Sequence, residues 1–304
     1  MNTNEYLQAV LKSQTLSQDS EELKNLQEHR ADVEEILREY FEESSPTIRY
    51  GGSKAKGTMI RESYDLDIIS HFLHDDTSAG ETLEDIYNNA REALSSKYVV
   101  ESKPSALRLK DRDPKNYGVD FHIDVVPGRY TDDSKTDVFL YRASGEKKRL
   151  KTNLDIHIKH VKESGVTDAI QLLKLWKIRN GLRVKNFALE LFMIDLLKGK
   201  KTASLENQLK HVWVKLRDEV EDISIEDPAN PTGNDLSDLL ASPIRFELSS
   251  VADKTLKGIE NSGWEIVFGP ANEEDRNGGK QKVEILRGAA ASVITPTKPW
   301  SDVA

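Results

Sequence analysis

The sequence predicts a bilobal α+β fold, in which a mixed sheet with helices is followed by a helical lobe. Short apolar or alternating stretches typical of strands are concentrated up to Pro127, whereas apolar residues further along recur every three or four positions, as in helices. With 304 residues the chain is long enough to bury two cores. We therefore predict a mixed α/β lobe over 1–150, a helical lobe over 151–270 and a loosely held tail over 271–304.

The first lobe is predicted to begin with one long amphipathic helix over residues 5–43, where apolar residues lie three or four positions apart. Residues 44–46 are two serines and a proline, which end that helix, and 47–50 form a short strand. The remaining predicted elements are a strand over 64–72, a helix over 83–94 and strands over 98–102, 105–110 and 119–126.

The second lobe is predicted to be mainly helical, with helical spacing over 155–160, 167–180 and 187–197. Beyond Gly269 the chain loses this periodicity, and the last dozen residues hold two prolines in a weakly apolar context. We therefore expect the tail to be held loosely.

The composition excludes several classes of protein. Apolar residues make up 37% of the chain and no apolar run approaches twenty residues, which predicts neither a membrane helix nor a signal peptide and favours the cytoplasm. The absence of cysteine removes disulfides, thiol catalysis and every zinc site that needs cysteine. The formal net charge of -9 is unfavourable for a broad nucleic-acid surface, although a local basic cleft for one triphosphate remains compatible with it.

A glycine-rich turn, Gly51-Gly52-Ser53, follows the first predicted strand. Glycines let backbone amides approach phosphate oxygens without a side chain in the way, and the Ser53 hydroxyl adds a donor. Lys54 and Lys56 supply positive charge beside the turn. An isolated Gly-Gly-Ser is more often an ordinary tight turn with solvated lysines. If the turn binds phosphate, Gly52, Ser53 and Lys56 are the candidate nucleotide-binding residues.

Two aspartates, Asp65 and Asp67, lie two positions apart on the next predicted strand. On a strand both side chains leave the same face, while Leu66 and Ile68 enter the core. Like charges this close repel unless a cation lies between them, and Mg²⁺ prefers such oxygen ligands. The alternative is a solvated edge strand, which more commonly explains an isolated Asp-x-Asp.

A third carboxylate, Asp124, interrupts the apolar strand predicted over 119–126 and would be costly to bury unpaired. If this strand pairs beside the strand of Asp65, the three carboxylates form a cluster that can hold two metal ions. Such ions lie about 3.5 to 4 Å apart in sites that promote in-line attack on phosphorus. Asp120 and His122 share the face of Asp124 and are equally compatible with solvated positions.

Together, the turn, the paired aspartates and the later aspartate resemble the signature of the polymerase-beta nucleotidyltransferase superfamily. The matching positions are Gly52, Ser53, Asp65, Asp67 and Asp124. The resemblance implies a polymerase-beta-like catalytic lobe over 1–150, in which the Gly-Ser turn grips a triphosphate. It also implies that the three aspartates hold two Mg²⁺ ions, with Mn²⁺ as a substitute, and it makes Asp124 the best candidate for the general base.

Two further stretches resemble the helical lobe of oligoadenylate synthetases and of CD-NTases, the bacterial relatives of cGAS. These are 169–176 and 185–191, and the segment 225–234 is similar to a late Asp-Pro-x-x-Pro loop of the same group. The resemblance thus extends over about 45–270 and implies that Lys174 contacts the donor phosphates. Lys185 is a further nucleotide-binding candidate, at a position where the family varies. Without the surrounding match, Lys174 would be interpreted as a surface lysine on an amphipathic helix.

The CD-NTase resemblance implies an enzyme that joins NTPs, ATP among them, into a cyclic or linear oligonucleotide second messenger with release of pyrophosphate. It also implies a role in antiphage (CBASS) signalling, and accessory proteins that regulate the enzyme or conjugate it through its last residues, Asp302, Val303 and Ala304. Because cysteines and a broad basic surface are absent, activation by double-stranded nucleic acid is not expected.

Two other functions agree with the same residues. The carboxylate cluster also serves nucleotidyl transfer to an RNA end or to a small hydroxylated acceptor. A basic groove would favour RNA, and the sequence offers one modest cluster, of a kind that is more often a solvated face: Lys147, Lys148, Arg149 and Lys151. The other alternative is a catalytically silent nucleotide-binding scaffold, against which the intact carboxylates argue.

Overall fold

The described residues form a mixed seven-stranded sheet followed by packed helices. They belong to a computed structural model and comprise residues 1–17, 19–112, 123–145, 147–234 and 236–271. The strands are β1 (Thr47–Tyr50), β2 (Leu66–Phe72), β3 (Tyr98–Ser102), β4 (Leu107–Asp111), β5 (Ile123–Tyr130), β6 (Val138–Tyr141) and β7 (Arg149–Thr152). The helices are α1 (Thr3–Gln14), α2 (Glu21–Tyr40), α3 (Gly52–Lys56), α4 (Leu83–Leu94), α5 (Leu154–Lys162), α6 (Thr167–Arg179), α7 (Asn186–Leu196), α8 (Leu205–Asp218), α9 (Ser242–Ser262) and α10 (Glu265–Phe268). The predicted α+β class, a mixed sheet with helices plus a helical lobe, is confirmed.

The strands lie in the order β1-β2-β5-β4-β3, with β6 attached to β5 and β7 to β6. β4 pairs with β5 up to Val125 and β6 pairs with it from Gly128, so Pro127 lies between the two partners. On this edge of β5, the missing N–H of Pro127 therefore removes no hydrogen bond to β4 or β6, while Pro127 pairs with Ser70 of β2 on the other edge and β5 continues to Tyr130. Beyond Pro127, where the sequence predicts few strands, the structure adds β6 and β7, which are too short to show a clear alternation.

The N-terminal segment forms two helices, so the prediction of one long helix over 5–43 is wrong. Thr15 ends α1 in an extended conformation, and the side chain of Ser20 accepts a hydrogen bond from the amide of Leu23. A serine at this position satisfies an amide that has no partner within the first turn of a helix. Ser20 therefore starts α2 as a new helix.

The two N-terminal helices pack in different cores. α2 and α4 share a core with Leu66 and Ile68 of β2, and both of these side chains are fully buried. α1 packs instead in the core of the helical lobe through Leu7 and Val10, and the Tyr6 hydroxyl ties it to the chain near α10. The chain thus begins on the helical lobe before it enters the sheet. The lobe boundary near residue 150 stays a prediction.

α6 is the central helix of the second core and is buried on most of its sides. The ring of Trp176 lies 6.0 Å from that of Trp213, whose ring lies 5.6 Å from that of Trp264. Nε1 of Trp176 also donates a hydrogen bond to the Thr255 hydroxyl at 2.8 Å. These contacts fix the position of α6, which carries Lys174.

Some sequence predictions concern residues outside the described ranges. These are Asp120, His122 and the tail over 272–304, with Asp302, Val303 and Ala304. Within the described ranges, none of the helices combines the length and the apolar character needed to cross a bilayer.

Candidate active site

The glycine turn lies directly over the side chain of Asp67. The amide of Gly51 donates a hydrogen bond to the backbone carbonyl of Asp67 at 2.8 Å. Gly52 has a positive φ of 48°, and a Cβ added there would lie 1.6 Å from Oδ2 of Asp67. Only a residue without a side chain fits at this position. The aspartate beneath the predicted turn therefore requires the glycine.

Replacing Gly52 by alanine is expected to lower the free energy of unfolding by about 3 kcal/mol, because strain at positive φ adds to the overlap with Asp67. Gly57 offers a matched control, since its φ is 73° and an added Cβ meets nothing within 4 Å. Gly57→Ala should cost about 1 kcal/mol. Urea denaturation measures both losses, and equal losses would contradict the close approach of Gly52 to Asp67.

The structure brings together the two strands that carry the predicted aspartates. β2 and β5 pair in parallel, with Asp67 directly beside Asp124 and Leu66 beside Ile123. Paired residues on neighbouring strands point to the same side of a sheet. Both carboxylates therefore lie on the side opposite to the buried Leu66, and Asp65 immediately precedes β2. The strand pairing on which the carboxylate cluster depends is therefore present.

The Asp67 carboxylate lies in a crowded and partly buried place. Burial, followed by the charges of Asp124 and Asp65, raises the pKa of Asp67 to about 7, although Lys56 and Lys174 act in the opposite direction. The donor atoms are carboxylate oxygens, which hard divalent cations prefer. A cation bound here would relieve the repulsion among the three carboxylates. The donor chemistry of these residues therefore fits Mg²⁺ or Mn²⁺.

Asp124 is held by Arg108, a residue that the sequence reasoning misses. Nε of Arg108 donates to Oδ1 of Asp124 at 2.8 Å, and Nη2 donates to Oδ2 at 2.7 Å. Strand pairing places the two residues opposite each other on β4 and β5, and the hydrogen bonds to Asp124 raise the pKa of Arg108. Among the described residues, no three Asp, Glu or His side chains have the arrangement of a metal site.

A buried ion-pair network joins the two lobes next to Asp67. Oε2 of Glu190 accepts a hydrogen bond from Lys56 at 2.7 Å, and Oε1 lies 2.6 Å from Nζ of Lys174. The Thr58 hydroxyl donates to Oε1 at 2.9 Å and accepts from Lys174 at 2.8 Å. None of these four residues is more than 8% exposed. Two of the three predicted nucleotide-binding lysines, Lys56 and Lys174, thus have their ammonium groups on Glu190, and their contact with a nucleotide stays a prediction.

The charges of this network balance only in part. Burial alone would raise the pKa of Glu190, but Lys174 and Lys56 outweigh it and hold the pKa below its usual value. Burial lowers the pKa of Lys174, and Glu190 opposes this change. Two ammonium groups against one carboxylate leave positive charge beside Asp67. Sequence reasoning misses Glu190, although a glutamate inside the apolar run 186–196 is a signal for a buried ion pair.

Several solved structures share this architecture. CdnC of E. coli MS115-1, in complex with HORMA-deltaN, has a TM-score of 0.64 and 17% identity, covering 89% of this chain and 98% of that one. The Bradyrhizobium diazoefficiens CD-NTase CdnG, in complex with GTP, has a TM-score of 0.62 and 15% identity, covering 88% and 94%. The Vibrio cholerae DncV cyclic AMP-GMP synthase, with a linear intermediate, has a TM-score of 0.58 and 16% identity, covering 90% and 86%. The chain has the CD-NTase fold.

This likeness lies in the fold. Comparison of the sequence with protein-family models gives no match, and comparison with curated proteins gives none either. The resemblance to CD-NTases is confirmed at the level of the fold, with identities of 15% to 17% for these three structures. The roles of individual residues therefore rest on the geometry of this chain.

The CD-NTase fold places a further lysine, Lys177, near the carboxylates. Lys177 follows Lys174 by one helical turn on α6, and its Nζ donates to Oδ1 of Asn186 at 2.7 Å. Burial, followed by Lys174, lowers the pKa of Lys177, while Asp65 acts in the opposite direction. Lys185 is exposed and directly precedes Asn186, at the N-terminus of α7. The nucleotide-binding role of Lys185 stays a prediction.

The Asp-Pro-x-x-Pro segment of this chain, within 225–234, is anchored by Asp227. Oδ1 of Asp227 lies 2.6 Å from Nε2 of His157 and accepts from the amide of Ala229 at 2.9 Å. Oδ2 of Asp227 accepts from the side chain of Asn234 at 2.6 Å. The ring of His157 lies 5.1 Å from that of Phe187. The loop is thus tied to α5 beside the first turn of α7, a link through His157 that the sequence does not indicate.

The modest basic cluster makes contacts within the protein. Lys151 forms an ion pair with Asp137 at 2.7 Å, and the guanidinium of Arg149 lies 4.6 Å from the ring centre of Phe139. Lys147 donates to a backbone carbonyl at 3.4 Å. Three of the four cations therefore have intramolecular partners. These contacts favour a solvated face, rather than an RNA-binding groove, as the interpretation of the cluster.

Proposed function

We propose that this chain is a Mg²⁺-dependent nucleotidyltransferase that joins NTPs into a cyclic or linear oligonucleotide second messenger and releases pyrophosphate. The observation that carries the proposal is the alignment of Asp67 with Asp124 on parallel strands, beneath the turn of Gly52. The similar structures support it, because one is a cyclic AMP-GMP synthase with a linear intermediate and another is in complex with GTP.

The proposed reaction is attack of a ribose hydroxyl oxygen on the α-phosphorus of an NTP. The bond from this oxygen to phosphorus forms as the bond to pyrophosphate breaks, and the hydroxyl proton passes to Asp124. Asp65, Asp67 and Asp124 would hold two Mg²⁺ ions, which lower the pKa of the hydroxyl and neutralise charge on the leaving pyrophosphate. The protein's own contribution is then mainly the positioning of the hydroxyl and the triphosphate.

The remaining site residues are assigned to the triphosphate. Gly52 leaves its backbone open to phosphate oxygens, and Ser53 adds a hydroxyl donor. Lys56 and Lys174 supply positive charge from within the lobe junction, where Glu190 holds them. Lys185 adds a cation from the exposed start of α7.

The proposed setting is antiphage signalling in the cytoplasm, with ATP among the NTP substrates. The nucleotide lies between the mixed-sheet lobe and the helical lobe, predicted over 1–150 and 151–270, although α1 packs in the helical lobe. The complex of the similar E. coli CdnC with HORMA-deltaN supports a protein partner, for which we propose a regulatory role. Accessory proteins that conjugate the chain through its C-terminal residues are a further proposed class of partner.

Pyrophosphate release tests the proposed activity. The purified chain is incubated with ATP, GTP, CTP and UTP in Mg²⁺ or Mn²⁺, and the rate is compared with that of an Asp65→Asn/Asp67→Asn variant. We expect a fall of at least about 1000-fold. The matched control Asp75→Asn/Asp133→Asn changes two side chains that are 72% and 98% exposed and should keep the wild-type rate. Unaltered turnover in the Asp65/Asp67 variant would contradict the assignment.

A further inference from the structure

The hydrogen bonds of Arg108 occupy both oxygens of a carboxylate that the proposed reaction requires. Nε and Nη2 of Arg108 donate to Oδ1 and Oδ2 of Asp124 at 2.8 and 2.7 Å. The two side chains are 26% and 19% exposed, so the pair lies at the open edge of the site. Solvent ions therefore have access to the Asp124 carboxylate.

Asp124 lies between a cation and an anion on its two neighbouring strands. Arg108 faces it from β4, and Asp67 lies beside it on β2. The charges of Asp124 and Asp65 both act on the guanidinium of Arg108. A cation that binds Asp124 would share its oxygens with this guanidinium, and like charges at such short range repel.

We propose that Arg108 is a built-in competitor of the divalent cation at Asp124. Arg108 neutralises the carboxylate while no cation is bound and lowers the affinity of the site for the free cation. Mg²⁺ usually binds proteins through one or two carboxylates together with substrate phosphates. The site therefore favours a cation that arrives with an NTP over a free one. This inference rests on the proposed function.

A second arginine offers a matched control because its pair has the same geometry. Nε and Nη2 of Arg217 donate to Oδ1 and Oδ2 of Asp218 at 2.7 and 2.8 Å, at the C-terminal end of α8. Asp218 belongs to none of the strands that carry the candidate site. Removing Arg217 therefore breaks an equivalent pair outside the carboxylate cluster.

Mn²⁺ binding to the full-length, nucleotide-free protein tests the inference, with the EPR signal of free Mn²⁺ as the measurement. Arg108→Met should bind Mn²⁺ about tenfold more tightly than the wild type, because one positive charge is removed from the site. Arg108→Lys keeps the charge and should stay within about threefold of the wild type. Arg217→Met should bind Mn²⁺ as the wild type does. If Arg108→Met does not fold by circular dichroism, Arg108→Gln replaces it.

Three outcomes overturn the inference. Mn²⁺ binding that is unchanged or weaker in the neutral Arg108 variant would overturn it and leave the proposed function intact. A gain in Arg108→Lys as large as in the neutral variant would also overturn it, because the charge is still present. Absence of Mn²⁺ binding in the wild type and every variant, with and without ATP, would overturn the proposed function and this inference with it.

Discussion

Replacing Asp67 by asparagine is expected to abolish nucleotidyl transfer and, at the same time, to stabilise the metal-free protein at pH 8. Turnover is lost because a neutral amide binds a divalent cation much more weakly than a carboxylate does, and we expect pyrophosphate release to fall at least about 1000-fold. Stability rises because a partly buried charge is removed from the neighbourhood of two like charges. Pyrophosphate release and urea denaturation in EDTA measure the two effects.

The gain in stability depends on pH with a definite sign. The pKa of Asp67 is raised from 3.8 to about 7. Protonation of Asp67 therefore stabilises the folded wild type fully below pH 3.8, and this stabilisation is lost as the pH rises through 7. The difference between the two pKa values corresponds to about 4 kcal/mol of stability, and screening by solvent reduces this amount. We expect Asp67→Asn to be about 2 kcal/mol more stable than the wild type at pH 8 and less than about 1 kcal/mol more stable at pH 5.

Asp133→Asn is the control for the effect of removing one aspartate charge, since the side chain of Asp133 is 98% exposed. Its exposed ion pair with His74 contributes little, so its free energy of unfolding should stay within about 0.5 kcal/mol of the wild type at both pH values. If Asp67→Asn is no more stable than the wild type at pH 8, the carboxylates are not crowded as described. Retained turnover would exclude Asp67 from catalysis.

Replacing Glu190 by glutamine is expected to lower the free energy of unfolding by about 3 to 5 kcal/mol. The substitution keeps the shape of the side chain and leaves the ammonium groups of Lys56 and Lys174 buried without the carboxylate that pairs with both. Lys56 lies on α3 and Lys174 on α6, so the loss also weakens the junction between the sheet and the helical lobe. Urea denaturation at pH 7 measures the change.

Two further variants distinguish the effect of the uncompensated buried charges from a nonspecific effect of substituting a glutamate. Glu219→Gln breaks a pair with Lys215 whose side chains are 48% and 32% exposed, and it should cost less than about 0.5 kcal/mol. Lys56→Met in the Glu190→Gln background should recover part of the stability, because one of the two uncompensated charges is gone. A loss below about 1 kcal/mol in Glu190→Gln, or no recovery in the double variant, would argue against the network.

Local sequence patterns are sufficient to predict the two strands and the glycine turn that carry the candidate site. The alternation of charged and apolar residues around Asp65 and Asp67 indicated which side chains enter the core, and the apolar strand around Asp124 indicated a partner for that strand. Gly52 was predicted because a turn that must admit phosphate needs a residue without a side chain. The structure adds a second reason for this glycine, since Asp67 lies directly beneath it.

The partners of these residues depend on contacts that local patterns do not encode. Arg108 meets Asp124 only because β4 pairs with β5 in one register, and this register depends on the whole sheet. Glu190 meets Lys56 across 134 positions of the chain. The break between α1 and α2 was missed because the helical spacing persists across it, whereas the cap at Ser20 decides the boundary.

Mass spectrometry of the products formed from ATP, GTP, CTP and UTP, with and without phosphatase treatment, tests the proposed nucleotidyl transfer most directly. We predict joined nucleoside monophosphate units that are absent with Asp65→Asn/Asp67→Asn; phosphatase-resistant products would be cyclic and phosphatase-sensitive products linear. The same joined products from the variant, in equal amount, would contradict a nucleotidyltransferase built on Asp65, Asp67 and Asp124.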